Sequence, residues 1–79
     1  VVGVRTVDGE EIKSLYEHFY DRAAQREFSP ADIQDCLQNA GVVYPGNTGN
    51  RKVYQTDKMK AVINTNTGEL VTAMWRDEE

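Results

Sequence analysis

Apolar periodicity changes at Gly41, and that change limits the fold more than any other feature of the chain. Before Gly41, apolar side chains recur every three or four residues, the spacing of one helical face. After it, they alternate with polar ones between clusters of turn-forming residues, as half-buried strands do. Helix-forming and strand-forming segments are therefore segregated, the α+β pattern. The expected architecture is two N-terminal helices packed on a small twisted antiparallel sheet of three to four strands.

The longest periodic run is Glu10 to Phe28. At roughly 100° per residue, Ile12, Leu15, Tyr16, Phe19, Tyr20 and Ala23 make one apolar stripe, and His18, Arg22 and Arg26 make a slanted row along its edge. Asp8 followed by Glu11 has capping-box spacing, so the first helix is expected from about Gly9 to Glu27. Phe28 and Ser29 interrupt it, with Phe28 plugging the corner. Ser29-Pro30-Ala31-Asp32 then opens a second helix, with serine at N-cap, proline at N1 and an acid at N3. Ile33, Cys36, Leu37 and Ala40 form its apolar face, and Gly41 stops it.

The strand half divides at its turns. Val42-Val43-Tyr44 is short and ends at Pro45, and Gly46 to Asn50 is a flexible turn. Arg51 to Thr56 places Val53 and Gln55 on one face and Lys52, Tyr54 and Thr56 on the other. Met59 to Asn64 is a second strand. Thr65-Asn66-Thr67-Gly68 is a hairpin turn with Gly68 suited to a left-handed conformation. Leu70 to Arg76 is the last strand, and whether Thr72 faces in or out depends on its register. The opening VVGVRTV reads as a short strand or an ordering arm.

Seventy-nine residues allow one domain, taken as residues 1–79, with a small core. No apolar run approaches the roughly 18–20 residues that span a bilayer. One cysteine excludes an internal disulfide, and Cys36 reads as a small core residue. One His and one Cys do not supply a tetrahedral metal set, so no metal or cofactor is expected. The net charge of −4 hides a division: residues 40–76 hold Arg51, Lys52, Lys58, Lys60 and Arg76 against Asp57 and Glu69, a basic island between acidic ends.

Three elements carry possible chemistry. His18 lies beside the apolar stripe with two arginines along the same edge, and such cations favour a neutral, base-competent imidazole, which Glu11 and Glu17 oppose. Thr72 sits among apolar neighbours and is either a β-former or a hydroxyl donor to a phosphoryl oxygen. Lys52 and Tyr54 share a strand face, and a basic residue beside an aromatic suits a nucleotide. Each also has a plainer reading, as a solvated helix face or ordinary strand packing. Metal-free RNA cleavage uses these side-chain types: a base for the 2′-hydroxyl, an acid for the 5′-oxygen, and cations for the developing phosphorane.

The row His18-x-x-x-Arg22-x-x-x-Arg26, the helix opening Phe28-Ser29-Pro30-Ala31-Asp32-Ile33 and the hairpin Lys60 to Thr72 together resemble a known family. It is that of the C-terminal toxin domains of bacterial contact-dependent inhibition and other polymorphic toxin systems, with the barnase, EndoU, colicin and RelE type of fold. The resemblance covers the whole chain. It implies a metal-independent ribonuclease, acting on transfer RNA and neutralised by a cognate immunity protein. Such a domain is a fragment of a secreted or cell-surface effector that works in the target-cell cytoplasm, and the absence of an initiating methionine suits one. The resemblance makes His18, Arg22 and Thr72 the catalytic candidates, with Arg26, Lys52 and Tyr54 binding substrate. The place of His18 and Arg22 at the edge of the apolar stripe, facing the basic strand region, leads to the expectation that they lean toward the sheet rather than into solvent. The chain departs from the family in its acidity. The competing reading is a non-catalytic acidic binding module, such as an immunity or antitoxin-like protein; a third is an interaction domain without a site.

Overall fold

The computed structural model describes residues 2–77; Val1 of the opening segment and Glu78 and Glu79 of the acidic tail lie outside them. Its elements are β1 (Ser14–Leu15), α1 (Phe19–Gln25), α2 (Pro30–Asn39), β2 (Val42–Pro45), β3 (Arg51–Gln55), β4 (Met59–Asn64) and β5 (Glu69–Trp75). The α+β class is as expected, but the sheet is not. It has five strands in the order β1-β5-β4-β3-β2, and it is mixed: β2 to β5 form an antiparallel meander, and β1 joins β5 in parallel.

The fifth strand comes from a stretch that reads as helix. Instead of a helix over Gly9–Glu27, α1 has seven residues starting at Phe19. The Lys13 N–H donates to the Gly68 carbonyl (2.8 Å) and the Tyr16 N–H to the Leu70 carbonyl (2.9 Å), so this backbone covers the edge of β5. Residues 2–12 double back beside it, with the Gly3 N–H donating to Ile12 O and the Ile12 N–H to Val4 O. Ile12 still reaches the core, fully buried, from an extended segment rather than a helix. Asp8 caps nothing; its carboxylate is used elsewhere.

The ends of the two helices are locally encoded. Glu27, at φ 62°, takes a left-handed conformation just past α1. The Phe28 N–H donates to Ala23 O (2.9 Å) and the Glu27 N–H to Ala24 O (3.0 Å), the paired bonds of a Schellman stop. Phe28 is thereby turned inward, buried at the corner with its ring 4.6 Å from that of Trp75. Helix α2 opens with a full capping box: the Asp32 N–H donates to Ser29 Oγ and the Ser29 N–H to Asp32 Oδ2. The bonds from the Ser29 backbone N–H, Lys58 and the Ser29 hydroxyl hold the Asp32 carboxyl below its usual range, against desolvation.

Both helices lie on one face of the sheet. Phe19 and Ala23 of α1 and Ile33, Cys36 and Leu37 of α2 share a core with Tyr54, Ala61, Ile63, Leu70 and Ala73. Burial alternates strictly along β4, with Met59, Ala61 and Ile63 inward. On β5 alternation breaks, because Val62 pairs with Thr72 but Ile63 pairs with Leu70, leaving Val71 as an extra residue. The bulge lets Leu70 and Ala73, three apart, both face the helices.

Candidate functional site

Directly opposed residues of antiparallel strands share a face. Tyr54, Ala61 and Ala73 lie in register on the helix side, so Val53, Val62 and Thr72 form a row on the other side. That row is the floor of a groove of about 570 Å³ on the face the helices leave uncovered. Tyr44 of β2 opposes Val53 and gives the groove its outer wall. Arg51 and Lys60 line it from β3 and β4, both half-buried. They sit at opposite ends of the β3–β4 pairing, since Arg51 opposes Asn64 and Lys60 opposes Gln55. Among the described residues Arg51 makes no ion pair.

The loop over residues 46–50 closes one end of this groove. It is tied down by Arg51 N–H to Thr48 O (3.0 Å), Thr65 N–H to Asn50 O (2.8 Å) and Thr48 Oγ1 to Asn50 Oδ1 (2.7 Å). Gly46 is required by contact rather than by φ: a Cβ built there would lie 2.6 Å from Arg51 Cβ. The loop and the base of the arginine are thus pressed together.

The six residues predicted to form the site are divided by the sheet. Thr72 lies in the groove, half-buried on its floor. Lys52 and Tyr54 share a face, as their spacing requires, but it is the helix-side face. There they hold Asp8: Lys52 Nζ is 2.7 Å from Asp8 Oδ2 and 3.2 Å from Glu10 Oε2, and Tyr54 OH donates to Asp8 Oδ1 at 2.6 Å. Thr6 Oγ1 donates to the same Oδ1 and accepts from the Glu10 N–H. Partial burial opposes ionisation of Asp8, but the bonds from Lys52, Thr6 and Tyr54 outweigh it and hold the carboxyl well below the usual range. Its bond to Asp8 raises the Lys52 ammonium, against desolvation. Burial first, then Asp8, push the Tyr54 phenol upward. The cluster is a latch that fastens the N-terminal segment to the sheet, with its donors and acceptors engaged internally.

Arg22 lies in α1 and His18 and Arg26 at its two ends, and α1 packs on the Leu70 and Ala73 side of β5, the side away from Thr72. His18 is the N-cap residue of α1 and makes no capping bond. Its side chain is 56% exposed, with Glu17 Oε1 at 3.4 Å and Asp21 Oδ2 at 3.8 Å, so its near charged neighbours are carboxylates rather than arginines. Tyr16 stacks edge-on against the ring. Arg22 is exposed, and half-buried Arg26 caps the helix C-terminus and is engaged in a contact of its own. His18 and Arg22 are exposed to solvent rather than leaning over the sheet. Among the described residues no three His, Cys, Asp or Glu side chains gather as a metal set would require.

Arg51, Lys60 and Tyr44 are the groove residues that sequence reasoning misses. The available signal was parity: Lys60 and Val62 alternate with the strongly apolar Ala61 and Ile63, so they face away from whatever the latter bury. Cys36 is the core residue expected. Its thiol lies 3.3 Å from Tyr54 O, and burial pushes it up to about 11. No helix among the described residues is long and apolar enough to cross a membrane. No family model matches the chain, and no curated protein or solved structure matches it significantly.

Proposed function

We propose that the chain is a ribonuclease of the interbacterial-toxin kind that works without a metal, and that RNA lies across the open face of its sheet. The observation that carries this reading is the meeting of Arg51, Lys60 and Thr72 in one groove of a chain whose net charge is −4. In metal-free cleavage the ribose 2′-oxygen attacks the adjacent phosphorus and its proton passes to a base. The 5′-oxygen leaves with a proton, and a 2′,3′-cyclic phosphate remains. The groove supplies the charge side of this reaction: a cation toward each end for phosphate oxygens along the strand, and a threonine hydroxyl on the floor to donate to one of them. Strands stand about 4.8 Å apart, so β3 to β5 span about 10 Å, wide enough for one nucleotide with its phosphate. Transfer RNA as substrate, a cognate immunity protein as partner and action in a target-cell cytoplasm follow from the family resemblance.

The test is induced expression in a bacterial cytoplasm, with growth and RNA integrity followed together. Wild type arrests growth and leaves fragmented RNA; Arg51→Ala and Thr72→Ala each relieve both effects while remaining folded. Relief by His18→Ala but not by Arg51→Ala would move the substrate to the helix side. Normal growth and intact RNA at confirmed soluble expression would refute the enzyme. It would favour the acidic binding module, for which the exposed carboxylates Glu17, Asp21, Glu27 and Asp35 on and beside the helices speak.

A further inference from the structure

Resting on that reading, the groove carries more than phosphate chemistry. Its polar side chains differ in how far they are already committed. Thr48 is bonded to Asn50, and the Asn50 carbonyl is taken by Thr65. The Tyr44 hydroxyl donates to Gln55 Oε1 at 3.1 Å, which holds in place a ring that lines the groove. Asn47 stands apart. It lines the groove and is exposed, and its carboxamide makes no hydrogen bond among the described residues.

These neighbours form an ordered set. An aromatic wall and the apolar floor of Val53 and Val62 suit the flat face of a base. Arg51, at the foot of the same loop, suits the phosphate of the nucleotide so placed. A free carboxamide on the tethered loop that lines the same groove offers one donor group and one acceptor, the chemistry that reads the edges of unpaired bases. We propose that Asn47 is a specificity-determining residue, hydrogen-bonding the edge of one base stacked on Tyr44, so that the groove takes single-stranded RNA with a preference at one position. The anchored loop is what makes a preference achievable, because a carboxamide on a mobile loop would follow any base equally well.

The experiment measures binding, kept apart from cleavage by 2′-O-methyl oligomers, which lack the attacking hydroxyl. Fluorescein-labelled hexamers of A, C and U are titrated with wild type, Asn47→Leu, Asn47→Ala and, as a control on the neighbouring hairpin outside the groove, Asn66→Leu. One neutral hydrogen bond gives a preference of roughly three- to tenfold between the best and worst hexamer in wild type. Both Asn47 variants reduce that ratio to below about twofold, leaving the weakest hexamer's affinity unchanged, and Asn66→Leu preserves it. A wild type that binds all three alike, or a preference that survives both Asn47 substitutions, overturns base reading and leaves the ribonuclease reading standing. A folded wild type that binds none of the hexamers overturns both.

Discussion

Replacing Asp8 with alanine tests whether the N-terminal latch holds this small fold together. Tyr54 is fully buried and its hydroxyl donates to Asp8 at 2.6 Å, so Asp8→Ala leaves a buried donor without its acceptor. Such an orphan costs about 1–3 kcal/mol. The ion pair with Lys52 is partly exposed, and Lys52 keeps Glu10 at 3.2 Å, so its loss adds at most about 1 kcal/mol. The sum, about 1–4 kcal/mol, is a large part of the roughly 4–12 kcal/mol available to a domain this size. With an unfolding entropy of about 2.1 cal/mol/K per residue, each kcal/mol moves Tm by about 6 °C, so Tm falls by roughly 6–24 °C. Tyr54→Phe removes the donor instead of stranding it and costs only about 1 kcal/mol. The two changes must therefore be coupled: Asp8→Ala in the Tyr54→Phe background costs about 1–2 kcal/mol less than in wild type. Urea unfolding followed by the fluorescence of Trp75, the single tryptophan, measures all four proteins. Additive losses, or an Asp8→Ala loss no larger than that of Tyr54→Phe, would refute the latch.

Three further outcomes follow from particular contacts. The Asp8 carboxyl is depressed in the folded state, so the stability it adds is complete above its ordinary value of 3.8 and drains away as pH falls toward the folded one; the stability gap between wild type and Asp8→Asn therefore narrows below about pH 4 in acid titrations, and a gap that widens there contradicts the assignment. Glu27→Gly relieves a left-handed residue at the end of α1 and raises stability by up to about 1 kcal/mol, read as a higher urea midpoint with unchanged slope; a lower midpoint would mean that the Glu27 side chain matters more than its backbone. Cys36, buried and bonded to a strand carbonyl, reacts with a disulfide reagent at pH 8 on the order of 100-fold more slowly in the native protein than in urea, and labelling at equal rates would show the core open there.

What the sequence reveals about the fold follows the range of the interactions involved. Ser29 and Asp32 cap α2 within four residues of chain, and Gly68 makes its turn at φ 75° between strands that are neighbours in sequence. Both are readable locally. The stretch before Phe19 is not, because its conformation is decided by the edge of β5, more than fifty residues away. Ile12, Leu15 and Phe19 are spaced for a helix, and the same three side chains also reach the core from an extended segment followed by a short helix. Asp8 shows the same limit in one residue. Its spacing to Glu11 is that of a cap, yet a carboxylate that can bind Lys52 and a buried Tyr54 hydroxyl together gains more than one that bonds a helix N–H.

The site divides along the same line. Parity along a strand is local, so it was legible that Lys52 and Tyr54 face together and that Lys60 and Val62 do. Which set faces the helices depends on where helices are and on partners such as Asp8, and the positions of both are tertiary facts. Tyr54 goes inward because Asp8 satisfies its hydroxyl; without that carboxylate a phenol in this core would be an orphan. Once Tyr54 is inward, Arg51, Val53 and, through the cross-strand register, Val62 and Thr72 must be outward. Val71 completes the argument, since the extra residue changes parity within β5 and keeps Leu70 in the core without turning Thr72 into it. The latch on the helix side and the bulge beside the groove floor together decide which side chains line the groove.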